Sequence, residues 1–391
     1  MTLDAPMVTV GGAGDRPGLC YIVNSLNPGG TERLVMEMAL AFMAEYRVCV
    51  ICLDEPGPWG VELRRRGVPV FCLWRQPGLD LSMPGKIARI VRDQSVSIVH
   101  AHQCTPWFYG ALSRIFCSGP RLLLEEHGRF YPEADHALRR LVNRIAIIPL
   151  SHRFVAVSAD VRRRLDRYEG LNAERTEIIY NGVDVGERLS NEERQVLRGE
   201  LGVGSDEFLV GTVGRFDPIK NLPMLVSGLV QAYRSERRVR GLLVGDGPVF
   251  GSIEGLIQNE GLTGTVRLTG FRDDARRLVQ CMDLFVLSSL SEGTSMALLE
   301  AMAGGVPVVV TAVGGNPEIV LAKETGWVVP SGDARALSIA ILEAARDPVL
   351  RERFARAGRQ RFSENYTFGR MIECYRSLYR TMMAASAREI S

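Results

Sequence analysis

Residues 284–300 read LFVLSSLSEGTSMALLE. The first four are apolar without alternation, which is typical of a strand buried on both faces of a parallel sheet. Thr294 precedes a run that suits a helix, and its hydroxyl is expected to cap a helix beginning at Ser295. A buried strand that turns directly into a helix is the unit from which layered α/β domains are built.

The same alternation of apolar strands and helices runs through most of the chain, in two series separated by the polar stretch Gly186–Asp206. This pattern predicts an α/β protein with two doubly wound parallel sheets. Helices are predicted at Thr31–Ala44, Pro84–Asp93 and Phe368–Ala387. The predicted strands are Leu19–Val23, Arg47–Leu53, Val68–Leu73, Ile98–His102, Leu122–Glu125, Phe154–Val157 and Glu177–Tyr180, then Phe208–Val213, Arg240–Val244, Val266–Thr269, Leu284–Leu287, Val306–Val310 and Gly326–Val329.

Domain boundaries follow from the two series. We expect a flexible tail over 1–17, a first domain over 18–185, a connection over 186–206, a second domain over 207–367 and a terminal helical segment over 368–391. Ligands of such sheets bind at the carboxyl ends of the strands, so the strand-to-helix loops are where chemistry is expected.

Composition narrows the possible classes. The chain has 391 residues, of which 46% are hydrophobic and 24% charged, which fits a globular protein and excludes a fibrous or wholly disordered one. Lys+Arg 47 against Asp+Glu 45 leaves a net charge of +2, so a non-specific nucleic-acid partner is not expected. No apolar run reaches the roughly 18–20 residues that span a bilayer, and no secretory signal is recognisable, so a cytoplasmic protein is expected.

The loop and helix after Leu284–Leu287 predict a binding site. Backbone N–H groups of Ser295, Met296 and Ala297 would bind an anion at the start of the helix. Glu300 lies six residues beyond Thr294, or about 9 Å along a helix axis, where it would accept hydrogen bonds from a ribose diol. The alternative is a capped surface helix, but Glu300 follows an apolar run in which an unpaired carboxylate is costly.

A second loop, Gly214–Asn221, reads GRFDPIKN and follows the strand Phe208–Val213. Arg215 and Lys220 would project from the carboxyl edge of that sheet. A planar guanidinium and a compact ammonium together suit a diphosphate. The alternative is a pair of solvated loop charges.

Two loops in the first half complete the set. Asn27–Glu32 reads NPGGTE after the first strand, and its paired Gly29 and Gly30 would let backbone N–H groups approach a ligand, or would form an ordinary tight turn. Glu125–Gly128 reads EEHG and places His127 at the end of another strand, where it would face the ligand crevice or serve as a structural histidine.

Several motifs are missing from the sequence. There is no Asp-x-Asp pair to hold a nucleotide-bound divalent metal, and no G-x-x-x-x-G-K-[ST] or G-x-S-x-G. No G-x-G-x-x-G opens either half, so nicotinamide binding lacks its main support. No metal and no cofactor are therefore expected.

The four loops, in this order, resemble those of glycosyltransferase family 4, a group of retaining, nucleotide-sugar-dependent enzymes with the GT-B fold. Leu243–Pro248 and Arg267–Phe271 are also similar to segments of that family. The resemblance covers nearly the whole chain after residue 17. It implies two Rossmann-like domains facing a cleft, with the terminal helix crossing back to the first domain.

The resemblance also implies roles for individual residues. Arg215 and Lys220 would bind the donor diphosphate and stabilise the leaving group, and Glu300 would hold the ribose hydroxyls. Glu292 would hold hydroxyls of the donor sugar, and His127 would lie beside that sugar at the reaction centre. Other positions implied for donor binding are Gly29, Gly30, Phe271, Gly293, Thr294, Ser295 and Met296.

The implied reaction transfers a hexose or N-acetylhexosamine from a nucleoside diphosphate sugar to a hydroxyl of a glycan, a lipid-linked glycan or a polysaccharide precursor. It would proceed with retention and without a metal ion. Two alternatives stay open. A nucleotide-sugar epimerase can use a similar two-domain fold, and a non-catalytic two-lobed protein can bind sugar.

The acceptor is expected to meet first-half residues, namely His102, Trp107, Arg129 and Tyr131. The ring of Trp107 would stack on a sugar, although core packing explains it equally well. His136–Leu150 is similar to a basic amphipathic helix that would contact the inner face of the plasma membrane. The alternative is a helix packed on the sheet with a solvated basic face.

Overall fold

The computed structural model describes residues 16–128 and 136–390, and the side chains of the last helix as far as residue 385. Most of the predicted tail over 1–17 therefore lies outside the described residues. Two parallel β-sheets are present, and each of the predicted strands overlaps an observed one. In the described ranges, no helix combines the length and apolar character that crossing a bilayer requires.

The first sheet has seven strands, which run in the spatial order third, second, first, fourth, fifth, sixth, seventh. Because the first strand pairs in parallel with both the second and the fourth, the direction of winding reverses between the first and the fourth. The strands are β1 (Gly18–Ser25), β2 (Arg47–Glu55), β3 (Val70–Cys72), β4 (Val96–His102), β5 (Arg121–Glu126), β6 (Arg153–Ala156) and β7 (Thr176–Ile178).

The second sheet has six strands, and its central strand pairs in parallel with the second strand of this series on one side and the fourth on the other. Its winding therefore also reverses next to the central strand, and crevices at such reversals bind ligands. In spatial order the strands are β10 (Val266–Leu268), β9 (Val239–Val244), β8 (Phe208–Val213), β11 (Leu284–Leu287), β12 (Val308–Thr311) and β13 (Trp327–Val329).

Helices connect the strands of both sheets, and short 3₁₀ or π-helical turns occur at 143–150, 165–169, 173–175 and 218–220. The helices are α1 (Gly30–Phe42), α2 (Gly57–Arg65), α3 (Met83–Asp93), α4 (Cys104–Ser113), α5 (Ala137–Val142), α6 (Ala159–Arg164), α7 (Asn191–Glu200), α8 (Leu222–Ser235), α9 (Phe250–Asn259), α10 (Ala275–Cys281), α11 (Met296–Gly304), α12 (Asn316–Ile319), α13 (Ala334–Arg346), α14 (Pro348–Asn365) and α15 (Phe368–Ile390).

The second sheet is buried on both faces, which explains why its strands are apolar without alternation. Val210 and Val286 pack into a core on one face, while Leu209 and Phe285 pack into a separate core on the other. Successive residues of a strand point to opposite faces, so both faces need apolar side chains. This packing makes β8 and β11 a rigid base for the loops that follow them.

The connection 186–206 contains a helix that the sequence analysis did not predict, α7. Ser190 accepts a hydrogen bond from the backbone N–H of Glu193, whose carboxylate accepts one from the backbone N–H of Ser190. This reciprocal pair is a capping box. The S-x-x-E spacing was the signal in the sequence that could have located the helix.

The chain divides into two compact units. The first unit contains the described residues up to Glu125, together with Val142–Phe154 and the chain from Ser377 onward. The second unit contains the described residues of Glu126–Leu141, together with Val155–Arg376. The domain boundaries expected from the sequence stay a prediction.

Candidate active site

The two loops with predicted cations and carboxylates meet at the winding reversal of the second sheet. One follows β8 and the other follows β11, and these strands are neighbours. The backbone N–H of Leu290 donates to the carbonyl of Ile219 at 2.8 Å, and the hydroxyl of Ser288 donates to the carbonyl of Lys220 at 2.9 Å. Both loops are thereby fixed to each other as well as to the sheet.

Lys220 and Glu292 form an ion pair at the centre of this site. The ammonium Nζ lies 2.6 Å from Glu292 Oε1, and the hydroxyl of Ser289 donates to the same oxygen at 2.6 Å. The Lys220 side chain is 26% exposed and that of Glu292 is 9% exposed. An ammonium has three donors, so this Lys220 can bind Glu292 and also a ligand oxygen.

Arg215 lines the same pocket. Gly214, Arg215, Lys220 and Ser288 are among the residues that form its wall. The Arg215 guanidinium is 65% exposed and pairs with Asp217, whose Oδ2 lies 3.1 Å from Arg215 Nε. The structure therefore brings the two predicted cations to one pocket, where each is paired with a carboxylate and Arg215 is the more exposed of the two.

The cap of α11 differs from the expectation. The hydroxyl of Thr294 donates to the carbonyl of Val157 at 2.6 Å, so it does not cap the helix. Ser295 is the cap instead, and its hydroxyl accepts from the backbone N–H of Leu298 at 3.4 Å. The helix starts at Met296, one residue later than expected, with the first-turn N–H groups at its open end.

Glu300 is held by Arg276, which the sequence analysis missed. Arg276 Nε lies 2.6 Å from Glu300 Oε1, across 24 residues of sequence. The Glu300 side chain is 9% exposed and that of Arg276 is 33% exposed. A partner for Glu300 resolves the expected cost of an unpaired carboxylate, and no local spacing rule could have supplied it.

His127 lies directly against the Glu292 loop. It follows β5 and is mostly buried, within the second unit. A Cβ atom added at Gly293 would overlap the carbonyl oxygen of His127, so only glycine permits this close approach. The backbone N–H of Gly315 donates to the Glu292 carbonyl at 3.2 Å and holds the loop from its other side.

The remaining predicted donor residues lie in different places. Phe271 follows β10 and its ring is exposed. Gly29 is the cap of α1, and Gly30 is the first residue of that helix. A Cβ atom at Gly29 would overlap the carboxylate of Glu32. Both glycines belong to the first unit.

Two of the predicted acceptor residues are inaccessible side chains of the first unit. Trp107 is fully buried, and its indole N–H donates to the hydroxyl of Ser151 at 2.8 Å. This contact favours core packing over stacking on a sugar. His102 is also buried. Arg129 and Tyr131 lie outside the described residues.

His102 belongs to a buried cluster that could hold a metal. His100 Nε2 lies 3.0 Å and His102 Nδ1 3.4 Å from Glu125 Oε2, and the three ligand atoms lie within 4.8 Å of one another. His100 Nδ1 lies 2.7 Å from the hydroxyl of Tyr379. These distances are those of a histidine–carboxylate contact and do not by themselves require a metal ion. Two histidines at i and i+2 of a strand share one face, which was the available sequence signal.

Tyr21 lies beside this cluster, with its ring centroid 5.5 Å from that of His100. Burial is the main cause that raises the pKa of the Tyr21 hydroxyl well above its usual range.

Two Rossmann-like parallel sheets, each with its winding reversal beside a central strand, give the chain the GT-B fold. Two family models match the chain. The model described as glycosyl transferases group 1 matches residues 193–361, and the model described as Glycosyltransferase Family 4 matches residues 28–187. The chain belongs to glycosyltransferase family 4.

Known proteins resemble the chain over most of its length. It is 27% identical over 316 residues to N-acetyl-alpha-D-glucosaminyl L-malate synthase of Bacillus anthracis, covering 79% of this chain and 81% of that protein. It is 24% identical to the UDP-Gal:alpha-D-GlcNAc-diphosphoundecaprenol alpha-1,3-galactosyltransferase of Escherichia coli, covering 82% and 86%. The crystal structure of Anabaena HepE with UDP and glucose superposes with a TM-score of 0.82 at 23% identity, covering 94% of this chain and 100% of HepE.

Proposed function

We propose that the protein transfers a hexose or N-acetylhexosamine from a nucleoside diphosphate sugar to a hydroxyl group, with retention at the anomeric carbon and without a metal ion. Family membership gives the general activity, that of a glycosyltransferase. The observation that carries the finer proposal is the Lys220–Glu292 pair at the winding reversal, with Arg215 in the same pocket.

Lys220 and Arg215 would act on the leaving group. When the bond between the anomeric carbon and the diphosphate breaks, its electron pair moves to the diphosphate oxygen and positive charge develops on the sugar. Cations fixed beside that oxygen stabilise the transition state more than the ground state. Because these side chains supply positive charge to the diphosphate, the proposed reaction needs no divalent ion.

Glu292 would hold the donor sugar and would not attack it. One of its carboxylate oxygens already accepts hydrogen bonds from two donors, Lys220 and Ser289. A carboxylate held in this way is a weaker nucleophile, since its charge is already stabilised. We therefore favour front-face substitution, in which the acceptor oxygen attacks on the side that the diphosphate leaves and its proton passes to a diphosphate oxygen.

The position of His127 fits a contact with the same sugar. Its carbonyl packs on Gly293, the residue after Glu292, within one compact unit. A donor whose sugar reaches Glu292 would thus be adjacent to His127 as well. Trapping of a covalent glycosyl-enzyme on Glu292 would contradict the front-face mechanism.

For the acceptor we propose a hydroxyl of a small hydroxy acid, a glycan or a lipid-linked glycan. The Bacillus anthracis relative is named for L-malate, and the Escherichia coli relative for a diphosphoundecaprenol-linked sugar. The second name also makes uridine diphosphate sugars the first donors to test.

Contact with the inner face of the plasma membrane is part of this proposal. The α5 residues Leu138 and Leu141 are exposed. Exposed apolar side chains beside Arg140 suit an anionic lipid surface. Co-sedimentation with phosphatidylglycerol vesicles but not phosphatidylcholine vesicles is expected, and replacement of Leu138 and Leu141 by serine should abolish it.

The transferase is tested by incubating the protein with UDP-glucose, UDP-N-acetylglucosamine and GDP-mannose, with and without EDTA. Slow release of nucleoside diphosphate that accelerates with a hydroxyl acceptor, and that EDTA does not change, supports the proposal. Isomerisation of the donor would instead identify an epimerase. Binding without turnover for any donor or acceptor would indicate a sugar-binding protein.

A further inference from the structure

The contact between Arg276 and Glu300 joins two helices of the second unit. Arg276 is the second residue of α10, and Glu300 lies in the middle of α11. Arg276 Nε donates to Glu300 Oε1 at 2.6 Å, the short distance of a charge-assisted hydrogen bond. Both residues lie on helices, so the contact joins the guanidinium and the carboxylate from two regular elements.

This pair is more than a surface ion pair. The Glu300 side chain is 9% exposed, and its chain neighbours Leu299 and Ala301 are fully buried. A carboxylate in such surroundings needs a partner to offset its lost hydration. The next residue, Arg277, provides a contrast on the same helix, since its distance to Glu193 is 3.6 Å and both side chains are more than half exposed.

The pair also relates two residues that the resemblance implies for donor binding. Phe271 precedes α10 by four residues, and Glu300 is the residue proposed to hold the ribose. Arg276 therefore connects the helix that follows Phe271 to the ribose carboxylate. The Arg276 side chain is one-third exposed.

We propose that Arg276 is a positioning residue for nucleotide binding, which holds the Glu300 carboxylate in the orientation that accepts hydrogen bonds from the ribose hydroxyls. This inference rests on the proposed function. It differs from a contact of Arg276 with the base or the diphosphate, because its effect should depend on the ribose hydroxyls of the ligand.

The test measures the affinity of UDP and of 2′,3′-dideoxy-UDP by titration calorimetry, with ADP and GDP and their dideoxy forms in parallel. Arg276→Gln should weaken ribonucleotide binding roughly tenfold, as expected when a hydrogen bond to a charged group is lost. Its affinity for the dideoxy form should equal that of the unchanged protein. Arg276→Lys should restore part of the loss, and the matched control Arg277→Gln should change neither affinity.

A double variant tests the path through the carboxylate. In a Glu300→Gln background, Arg276→Gln should cause no further loss, because the residue it positions is gone. Equal weakening of UDP and dideoxy-UDP, or no weakening of either, would overturn the inference. If the Arg276→Gln protein melts at a lower temperature than the unchanged protein, Arg276→Lys, which keeps the positive charge, replaces it in the comparison of UDP with dideoxy-UDP.

Failure of the proposed function gives a different result. If the unchanged protein binds none of the three nucleoside diphosphates and releases none from the sugar donors, the proposed function fails and the inference about Arg276 fails with it. If the unchanged protein binds UDP and Arg276→Gln binds both UDP forms like the unchanged protein, only the inference fails.

Discussion

The two sheets place polar side chains at the same topological position and expose them differently. In the first sheet, β4 and β5 end in His100, His102 and Glu125, which are all fully buried. In the second sheet, the loops after β8 and β11 carry Lys220 and Glu292, and the Lys220 side chain is 26% exposed. Both clusters contain a carboxylate held by nitrogen donors, yet only one can reach a ligand.

Strand order alone does not create a ligand-binding site. The winding of each sheet reverses beside its central strand, so both have the crevice in which ligands bind. In the first sheet, the hydroxyl of Tyr379 lies against the cluster and forms a hydrogen bond with His100 Nδ1. We infer that the first cluster stabilises its unit, and that the second cluster performs chemistry.

The largest effect is expected when Lys220, the cation of the second cluster, is replaced. Lys220→Ala should lower kcat roughly 100- to 1000-fold, the loss typical of removing one donor from a developing negative charge. Lys220→Arg is informative because a planar guanidinium cannot occupy the place of a compact ammonium, so it should not restore full turnover.

Steady-state kinetics with the best donor of the panel provide the measurement, and Lys86→Ala on α3 is the matched control, since Lys86 is exposed. Near-normal turnover of Lys220→Ala would remove Lys220 from the proposed role and would leave the second cluster without its chemical function.

The second test removes the carboxylate of the first cluster. Glu125→Ala should lower the free energy of unfolding by about 3 kcal/mol, because two buried histidines lose the carboxylate that lies beside them. Urea denaturation measures this effect, and the affinity for UDP should not change. Glu62→Ala is the control, since the carboxylate of Glu62 pairs with the solvent-exposed Arg65 and Arg66 near the end of its own helix.

A metal ion bound by His100, His102 and Glu125 would produce a different outcome. Because the sequence predicts no metal ion, we expect EDTA to leave the melting temperature unchanged. A fall in the melting temperature with EDTA, reversed by Zn²⁺, would contradict this interpretation of the cluster.

The strands of both sheets could be predicted from the sequence, because the apolar runs that indicate buried strands are local features of the chain. Apolar runs of four to seven residues identify strands buried on both faces, and loops with Arg215, Lys220 and Glu292 follow such runs directly. The site could therefore be predicted to the level of its loops. Parallel pairing of β8 with β11 then brings these loops together, as the predicted topology requires.

The parts that could not be predicted depend on distant contacts. Arg276 reaches Glu300 from another helix, and the carbonyl of Val157 takes the hydroxyl of Thr294 and so moves the helix cap to Ser295. Neither partner is near in sequence. Burial of Trp107 is also a tertiary property, since an aromatic residue beside a strand end suits a core and a sugar site equally.

A smaller effect is expected where the C-terminal helix meets the first cluster. Tyr379→Phe removes the hydroxyl that lies 2.7 Å from His100 Nδ1, within the first unit. The free energy of unfolding should fall by about 1 kcal/mol, the net value of a hydrogen bond, as measured by urea denaturation. A loss as large as that of Glu125→Ala would mean that the tyrosine, and not the carboxylate, holds the cluster together.

The smallest effect is expected at the rim of the second unit. The Arg272 guanidinium lies beside Asp274 and is the main cause that lowers the pKa of that carboxyl. Because the folded pKa is lowered, the pair stabilises the fold above the unfolded pKa, and this contribution disappears as the pH falls through the lowered value. Both side chains are one-third exposed or more, so Arg272→Gln should cost less than about 0.5 kcal/mol at pH 7.

Urea denaturation at pH 7 and at pH 2.5 should show this small difference shrinking at the acid end. An effect of more than about 1 kcal/mol would exceed the range of exposed ion pairs. It would show that the exposed Arg272–Asp274 pair beside Phe271 stabilises the fold as much as a buried contact does. Exposure alone would then not distinguish the stabilising cluster of the first sheet from the reactive cluster of the second.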